Sequence, residues 1–278
     1  MANGSDSTTE FQVRSGGIVL RGSSEGDGAP IVLLHGLSAV RRYVVMGSHA
    51  LARSGFWTVA YDARGHGESD PAPDPKAYEY SDLASDLGAV LDGLEIDRAV
   101  FAGVSMGAHT LVRFALDRPD LVKALVLITP AYDGQREGGS ESWARLAGAL
   151  DEDGIDGFLR EWGAKDVAER WREAALKNAR QRLERHRDLH AVAAALRVVP
   201  ASRAFDGLES LERIDAPVLV VGSRDEADPV HPLSVAERYA DRLPRGDLLV
   251  EEEGKSPLAW QGSRLSRAIA DFIKGNEG

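Results

Sequence analysis

The sequence predicts an α/β protein in which a mostly parallel sheet is flanked by helices and interrupted by one helical insertion. Two observations carry this expectation. Short runs rich in Val, Ile and Leu alternate with longer amphipathic segments, the pattern of strands covered by helices on both faces. One stretch of about 85 residues, 131–215, breaks the alternation with no convincing strand and a high density of Arg, Glu and Ala.

The expected strands are Ile31–Leu34, Thr58–Tyr61, Ala99–Val104, Leu125–Thr129, Val218–Val221 and Leu248–Glu251. Between them, Leu83, Leu87, Val90, Leu91 and Leu94 recur at three- and four-residue steps, as do Leu265, Ile269, Phe272 and Ile273. That spacing puts one apolar stripe on each helix. A helix from Met106 to Arg118 ends at Pro119, which cannot continue it. Residues 1–130 and 216–278 then form the core, and 131–215 a helical cap between the strands Leu125–Thr129 and Val218–Val221. Trp143, Trp162 and Trp171 in that insertion either line a site or pack its helices, and packing is expected for most of them.

Composition narrows the function classes. The 278 residues include no cysteine, so disulfides, thiolate metal sites and cysteine nucleophiles are excluded. A net charge of −11 argues against nucleic acid as a partner, because phosphate binding depends on clustered Lys and Arg. No window approaches the roughly 18 consecutive apolar residues that span a bilayer, and the polar start MANGSDSTTE lacks the layout of a secretory signal. A cytoplasmic location is the default expectation, with no membrane partner.

The chemistry-bearing motif is Gly103-Val104-Ser105-Met106-Gly107. This G-x-S-x-G directly follows a buried strand and opens a helix, the context in which a serine is presented as a nucleophile on a sharp turn. Small neighbours let the backbones approach closely, and the helix N-terminus behind the serine favours developing negative charge. Upstream, the run Ile31–Leu34 leads into His35-Gly36-Leu37, and Asp62-Ala63-Arg64-Gly65-His66-Gly67-Glu68-Ser69 forms a tight loop after the next strand.

With these motifs the chain resembles the α/β-hydrolase superfamily, in the branch with an HG oxyanion loop and a helical cap. The likeness runs over nearly the whole chain, strongest at Ile31–Pro130 and Pro217–Ile273. The resemblance implies an oxyanion hole built from the backbone N–H groups of Leu37 and Met106. It also implies structural, non-catalytic roles for His35 and His66.

The resemblance places the acid just after Val218–Val221, where Asp225 and Asp228 both fit a D-x-x-x-P pattern, with Pro229 and Pro232 respectively. Asp228 is preferred, because Pro232 suits the first turn of the following helix. The family histidine would follow a glycine after the last strand, yet Gly254 is followed by Lys255 and no histidine occurs beyond His231. Lys255 is therefore read either as the general base or as an ion-pair partner of Asp228. The first role needs a depressed pKa, since an unperturbed lysine is only ~0.04% neutral at pH 7; an adjacent aspartate would have the opposite effect. His231, three residues after Asp228, and His109, one turn after Ser105, are read as ordinary surface or packing histidines. His49, His186 and His190 are expected to be solvated. His186 and His190 have a metal-compatible spacing, but without a third ligand no metal is expected.

The expected activity is hydrolysis of a small carboxylic ester, thioester or lactone through a Ser105 acyl-enzyme, with Asp228 and Lys255 in the remaining catalytic positions and no cofactor. Two other classes are kept beside it: a catalytically degenerate member that binds a ligand, and a non-hydrolytic enzyme that stabilises an enolate in the same oxyanion pocket.

Overall fold

A computed structural model describes residues 8–134, 140–224 and 226–276. Its centre is an eight-stranded sheet in the order β1-β2-β4-β3-β5-β6-β7-β8. The strands are β1 (Thr9–Ser15), β2 (Ile18–Glu25), β3 (Ala29–Leu34), β4 (Phe56–Tyr61), β5 (Ala99–Val104), β6 (Val122–Ile128), β7 (Val218–Gly222) and β8 (Gly246–Val250). All pairings from β4 across to β8 are parallel, whereas β1 pairs antiparallel with β2 and β2 with β4.

Strands β3 to β8 correspond to the six expected runs, with shifts of a few residues at their ends. Thr129 falls outside β6 because its φ is +45°; its N–H donates to the Val221 carbonyl at 2.7 Å. Glu251 lies beyond β8 and turns inward, where its carboxylate accepts the Arg224 and Leu258 N–H groups at 2.7 and 3.2 Å. The hairpin β1–β2 is an addition to the expected set. Its strands sit at the sheet edge with alternating burial, joined by Gly16 and Gly17 at φ +52° and +87°, the left-handed pair that a tight two-residue hairpin turn requires.

Alternation of side chains assigns each strand residue to one of two layers. Leu20, Val32, Leu34 and Phe101 point to the face covered by α2 (Tyr80–Gly93), α3 (Met106–Asp117) and α7 (Leu233–Arg242), with Leu87, Leu111 and Tyr239 fully enclosed there. Ile31, Leu33, Val100 and Val126 point the other way, onto Leu51 of the short α1 (Ala50–Arg53) and onto Leu265, Ile269 and Ile273 of α8 (Gly262–Gly275). Each such aliphatic side chain, once buried, stabilises the fold by about 1.5–3 kcal/mol. The connections run from β3 to β4 on one side and onward to β5 on the other. A switch of direction therefore lies at the carboxyl end of β3, where doubly wound sheets open a crevice.

Between β6 and β7 stand α4 (Ser140–Trp162), kinked at Gly154 with φ +62°, α5 (Glu169–Leu183) and α6 (Leu189–Val198). Leu146, Leu150, Phe158, Leu183, Val192 and Leu196 form their shared apolar cluster, against which Trp143 and Trp162 pack. Trp171 meets Trp260 of the core edge-on at 6.2 Å. Seams to the core run through Tyr43, whose hydroxyl donates to the Gln181 carbonyl at 3.1 Å, and through His186. The expectation of a solvated His186 is corrected: its Nδ1 accepts the Gly67 N–H at 2.9 Å, and Arg187 N–H returns to the Gly67 carbonyl at 3.0 Å. Among the described residues no helix is long and apolar enough to cross a membrane.

The turn from β5 into α3 depends on two glycines. A Cβ built on Gly103 would stand 2.5 Å from the Gly107 carbonyl carbon, and one on Gly107 would stand 2.4 Å from the Leu34 carbonyl oxygen. These obstacles are backbone, which cannot swing aside. Gly107→Ala is expected to lower the unfolding free energy by about 1–3 kcal/mol, read as a reduced urea midpoint with an unchanged slope.

Candidate active site

Ser105 occupies the tip of that turn at φ +49° and ψ −108°. A non-glycine residue in such backbone costs on the order of 1–3 kcal/mol and persists only where its surroundings hold it. Here the Ser105 N–H donates to the Ile128 carbonyl at 2.9 Å, and its carbonyl accepts the His109 N–H at 3.0 Å. The strand on one side and the helix on the other thus clamp the residue. Gly36 packs so closely on Val104 and Ser105 that an added Cβ would lie 3.3 Å from the Val104 carbonyl oxygen. This brings the next residue, Leu37, beside the elbow. Met106 is the first residue of α3, where a backbone N–H has no carbonyl of its own helix to meet.

The group that faces the Ser105 hydroxyl is His231. Its Nε2 lies 2.8 Å from Ser105 Oγ, and its Nδ1 lies 2.9 Å from Asp228 Oδ1. An ionised carboxylate only accepts, so Nδ1 carries the proton and donates to Asp228, leaving the Nε2 lone pair for the Ser105 hydroxyl. The short turn that makes this possible is local: His231 N–H donates to the Asp228 carbonyl at 3.1 Å, with Pro229 and Pro232 stiffening either side. Both side chains are mostly enclosed, at 18% exposure each. Burial alone would raise the Asp228 pKa, but His231 and the nearby Arg182 charge outweigh it and hold the carboxyl below its usual range.

Of the site residues expected from sequence, the structure therefore brings Ser105 and Asp228 together through His231, with Met106 and Leu37 adjoining the elbow. Lys255 does not join them, and the two roles expected for it are corrected. It lies in an exposed turn with Glu252, Glu253 and Gly254, closed by its own N–H to the Glu252 carbonyl at 3.1 Å. Among the described residues its side chain has neither a hydrogen bond nor an ion pair. Asp225 lies outside the described residues. The reading of His231 as an ordinary histidine is likewise corrected. Its signal was present in Asp228-Pro229-Val230-His231-Pro232, where a three-residue step inside a proline-bounded turn lets aspartate and imidazole meet.

The other histidines near the site are engaged elsewhere. His109 Nε2 accepts the Ala131 and Tyr132 N–H groups at 2.9 and 3.1 Å, and Nδ1 meets the Tyr80 hydroxyl at 3.0 Å. It tethers the chain leaving β6. His35 uses Nδ1 on the Gly36 carbonyl and Nε2 on the Ala63 N–H, and His66 Nδ1 donates to the Arg64 carbonyl, consistent with loop-supporting roles. His49 and His190 are exposed, each on a carboxylate, Glu25 and Asp151. Among the described residues no group of three or more His, Asp or Glu side chains is placed to hold a metal.

Burial presses the His35, His109 and His186 pKa values down to about 3, and lowers that of His66 as well. The unfolded chain titrates these rings near 6.5, so between pH about 6.5 and 3 it binds protons that the folded protein refuses. Stability is full above that window and is lost as pH falls through it. Thermal denaturation should show Tm declining continuously from pH 6.5 towards 3, with an accumulated loss of several kcal/mol. His109→Gln should flatten part of that slope; an unchanged slope would show that His109 is charged in the fold.

Comparison with known proteins agrees with this architecture. The sequence model of the family described as alpha/beta hydrolase fold matches residues 29–263. A protein of Rhizobium rhizogenes, provisionally named carbamate hydrolase RutD, is 30% identical over 238 residues, covering 84% of this chain and 88% of its own length. A protein of Mycobacterium phage D29, provisionally named a non-heme haloperoxidase, is 40% identical over 109 residues, but the match spans only 39% of this chain and 38% of that one. Among solved structures, a thermophilic esterase from Thermogutta terrifontis superposes with a TM-score of 0.81 at 23% identity, covering 97% of this chain and all of the esterase.

Proposed function

The chain belongs to the alpha/beta hydrolase fold family, and from that premise we propose that it is a hydrolase of small acyl compounds, with Ser105 as nucleophile, His231 as general base and Asp228 as the acid that orients it. The observation that carries the reading is the continuous chain of hydrogen bonds from Ser105 Oγ through both nitrogens of His231 to Asp228, at 2.8 and 2.9 Å. A nucleophilic serine needs a base within this distance and a third group to fix the tautomer of that base.

The reaction divides into two acyl transfers. As Ser105 Oγ bonds to the substrate carbonyl carbon, its proton passes to His231 Nε2. The carbonyl oxygen takes the negative charge and is held by the backbone N–H groups of Leu37 and Met106, aided by the N-terminal end of α3. Collapse breaks the bond to the leaving group, which departs with the proton from His231, and the acyl-enzyme remains. Water then attacks the acyl carbon and gives a proton to His231; the bond to Ser105 Oγ breaks, His231 returns that proton to Oγ, and the free acid leaves. Asp228 stays ionised throughout and stabilises the imidazolium in each half.

A carboxylic ester, thioester or lactone presents the carbonyl this sequence of steps needs. The relative named as a carbamate hydrolase supports a hydrolytic outcome, since a carbamate carbonyl is open to the same attack. We assign the helical insertion the part of a cap over the substrate, because its apolar cluster touches Leu37 beside the proposed oxyanion site.

Labelling with a fluorophosphonate, followed by mass spectrometry of the adduct, tests the nucleophile directly. Ser105 should be labelled in the wild type and in Lys255→Ala, and not in His231→Gln. On a nitrophenyl ester, Ser105→Ala and Asp228→Asn should each reduce kcat on the order of 10⁴-fold, while Lys255→Ala stays within about twofold. Absence of label on the folded wild type, or its dependence on Lys255, would overturn the assignment.

A further inference from the structure

Arg182 stands out because, among the described residues, nothing pairs with its guanidinium. Arg64 grips Asp86 through two hydrogen bonds of 2.7 and 2.8 Å, and Arg41 is shared among Asp62, Glu68 at 2.8 Å and Glu10 at 3.0 Å. Arg182, by contrast, has a buried Nε without a hydrogen-bond partner, and among the described residues its guanidinium makes no hydrogen bond or ion pair. A guanidinium cannot escape burial by losing its proton at ordinary pH. Arg182 is half-buried, and its enclosed Nε–H, which no described protein group accepts, is a donor that an arriving anion can satisfy.

Its neighbours place it close to the Ser105 site. Arg182 lies in the last turn of α5, between Gln181, whose carbonyl takes the Tyr43 hydroxyl at 3.1 Å, and Leu183, which shares an apolar cluster with Leu37. Three residues on, His186 takes the Gly67 N–H. This end of α5 is thus seated on the loops after β3 and β4, beside the elbow. Arg182 also feels the Asp228 charge and lowers its pKa in return, although no ion pair joins the two.

We infer that Arg182 binds an ionised carboxylate on the substrate, so that the preferred ester carries a second, anionic group. This inference rests on the hydrolase reading given above for the reacting end of the substrate. A planar guanidinium matches a carboxylate through two parallel hydrogen bonds. Asp228 in the same neighbourhood disfavours a phosphate dianion relative to a singly charged carboxylate, because like-charge repulsion grows with the ligand's charge. The unpaired arginine is then a specificity determinant: a neutral acyl chain leaves the guanidinium unsatisfied, whereas a carboxylate compensates it.

The test compares mono-4-nitrophenyl glutarate with 4-nitrophenyl pentanoate, esters of the same acyl length that differ by a terminal carboxylate. The wild type should favour the glutarate ester at least tenfold in kcat/KM. Arg182→Met and Arg182→Gln should reduce that ratio tenfold or more, largely through KM, and Arg182→Lys should restore part of it. A wild-type ratio near one, or variants that depress both esters equally, would overturn the inference and leave Arg182 a mere structural neighbour of Asp228. If neither ester is turned over and Ser105 takes no fluorophosphonate label, the hydrolase reading falls separately. Calorimetric binding of free glutarate then decides the anion site: binding to the wild type that is lost in Arg182→Gln upholds it, and no binding to the wild type overturns it.

Discussion

Everything at the proposed active site hangs on the backbone of one residue, Ser105, held at φ +49° between a buried strand and the first turn of a helix. That conformation is unfavourable by itself. It is retained because β5 is locked between β3 and β6 and because α3 packs on the sheet so tightly that Gly103 and Gly107 have no room for a side chain. The energy that maintains the turn therefore comes from the apolar layers on both faces of the sheet, far more than from any local bond.

Once the serine is presented, the sheet's order decides what can meet it. The direction switch at β3 sends Gly36 and Leu37 to one side of the elbow, and the loop after β7 reaches it from the side of β6. The carboxylate and the imidazole both arrive on this second loop, three residues apart. Such an arrangement needs only one loop to be positioned correctly, and Pro229 and Pro232 reduce the entropy lost in ordering it. It also frees the segment after β8, where the Glu251 carboxylate is spent on the Arg224 and Leu258 amides and Lys255 turns outward.

The site is surrounded by buried groups of contrasting kinds. His35, His66, His109 and His186 are enclosed and neutral, and three of them brace loops or seat the helical insertion. Asp228 is enclosed and charged, and accepts the His231 Nδ1–H. Arg182 is half-buried and charged, and its enclosed Nε is unmatched among the described residues. The chain carries 44 Asp and Glu against 33 Lys and Arg, yet none of the described carboxylates forms an ion pair with Arg182.

The sequence by itself determined the α/β class, the six parallel strands, the helices between them and the serine at the elbow. These follow from side-chain periodicity and from a glycine spacing that acts over five consecutive residues. The hairpin β1–β2 was harder to read, because a half-exposed edge strand carries a weaker apolar signal than a buried one; Gly16-Gly17 was its one clear mark. Only the tertiary structure decided which group stands opposite Ser105, since Ser105 and His231 are 126 positions apart and no local pattern encodes a meeting across the sheet. The same holds for His186, whose polar helical setting reads as solvated until the core's Gly67 amide is brought against it, and for Arg182, whose lack of a partner exists only when every neighbour is in place.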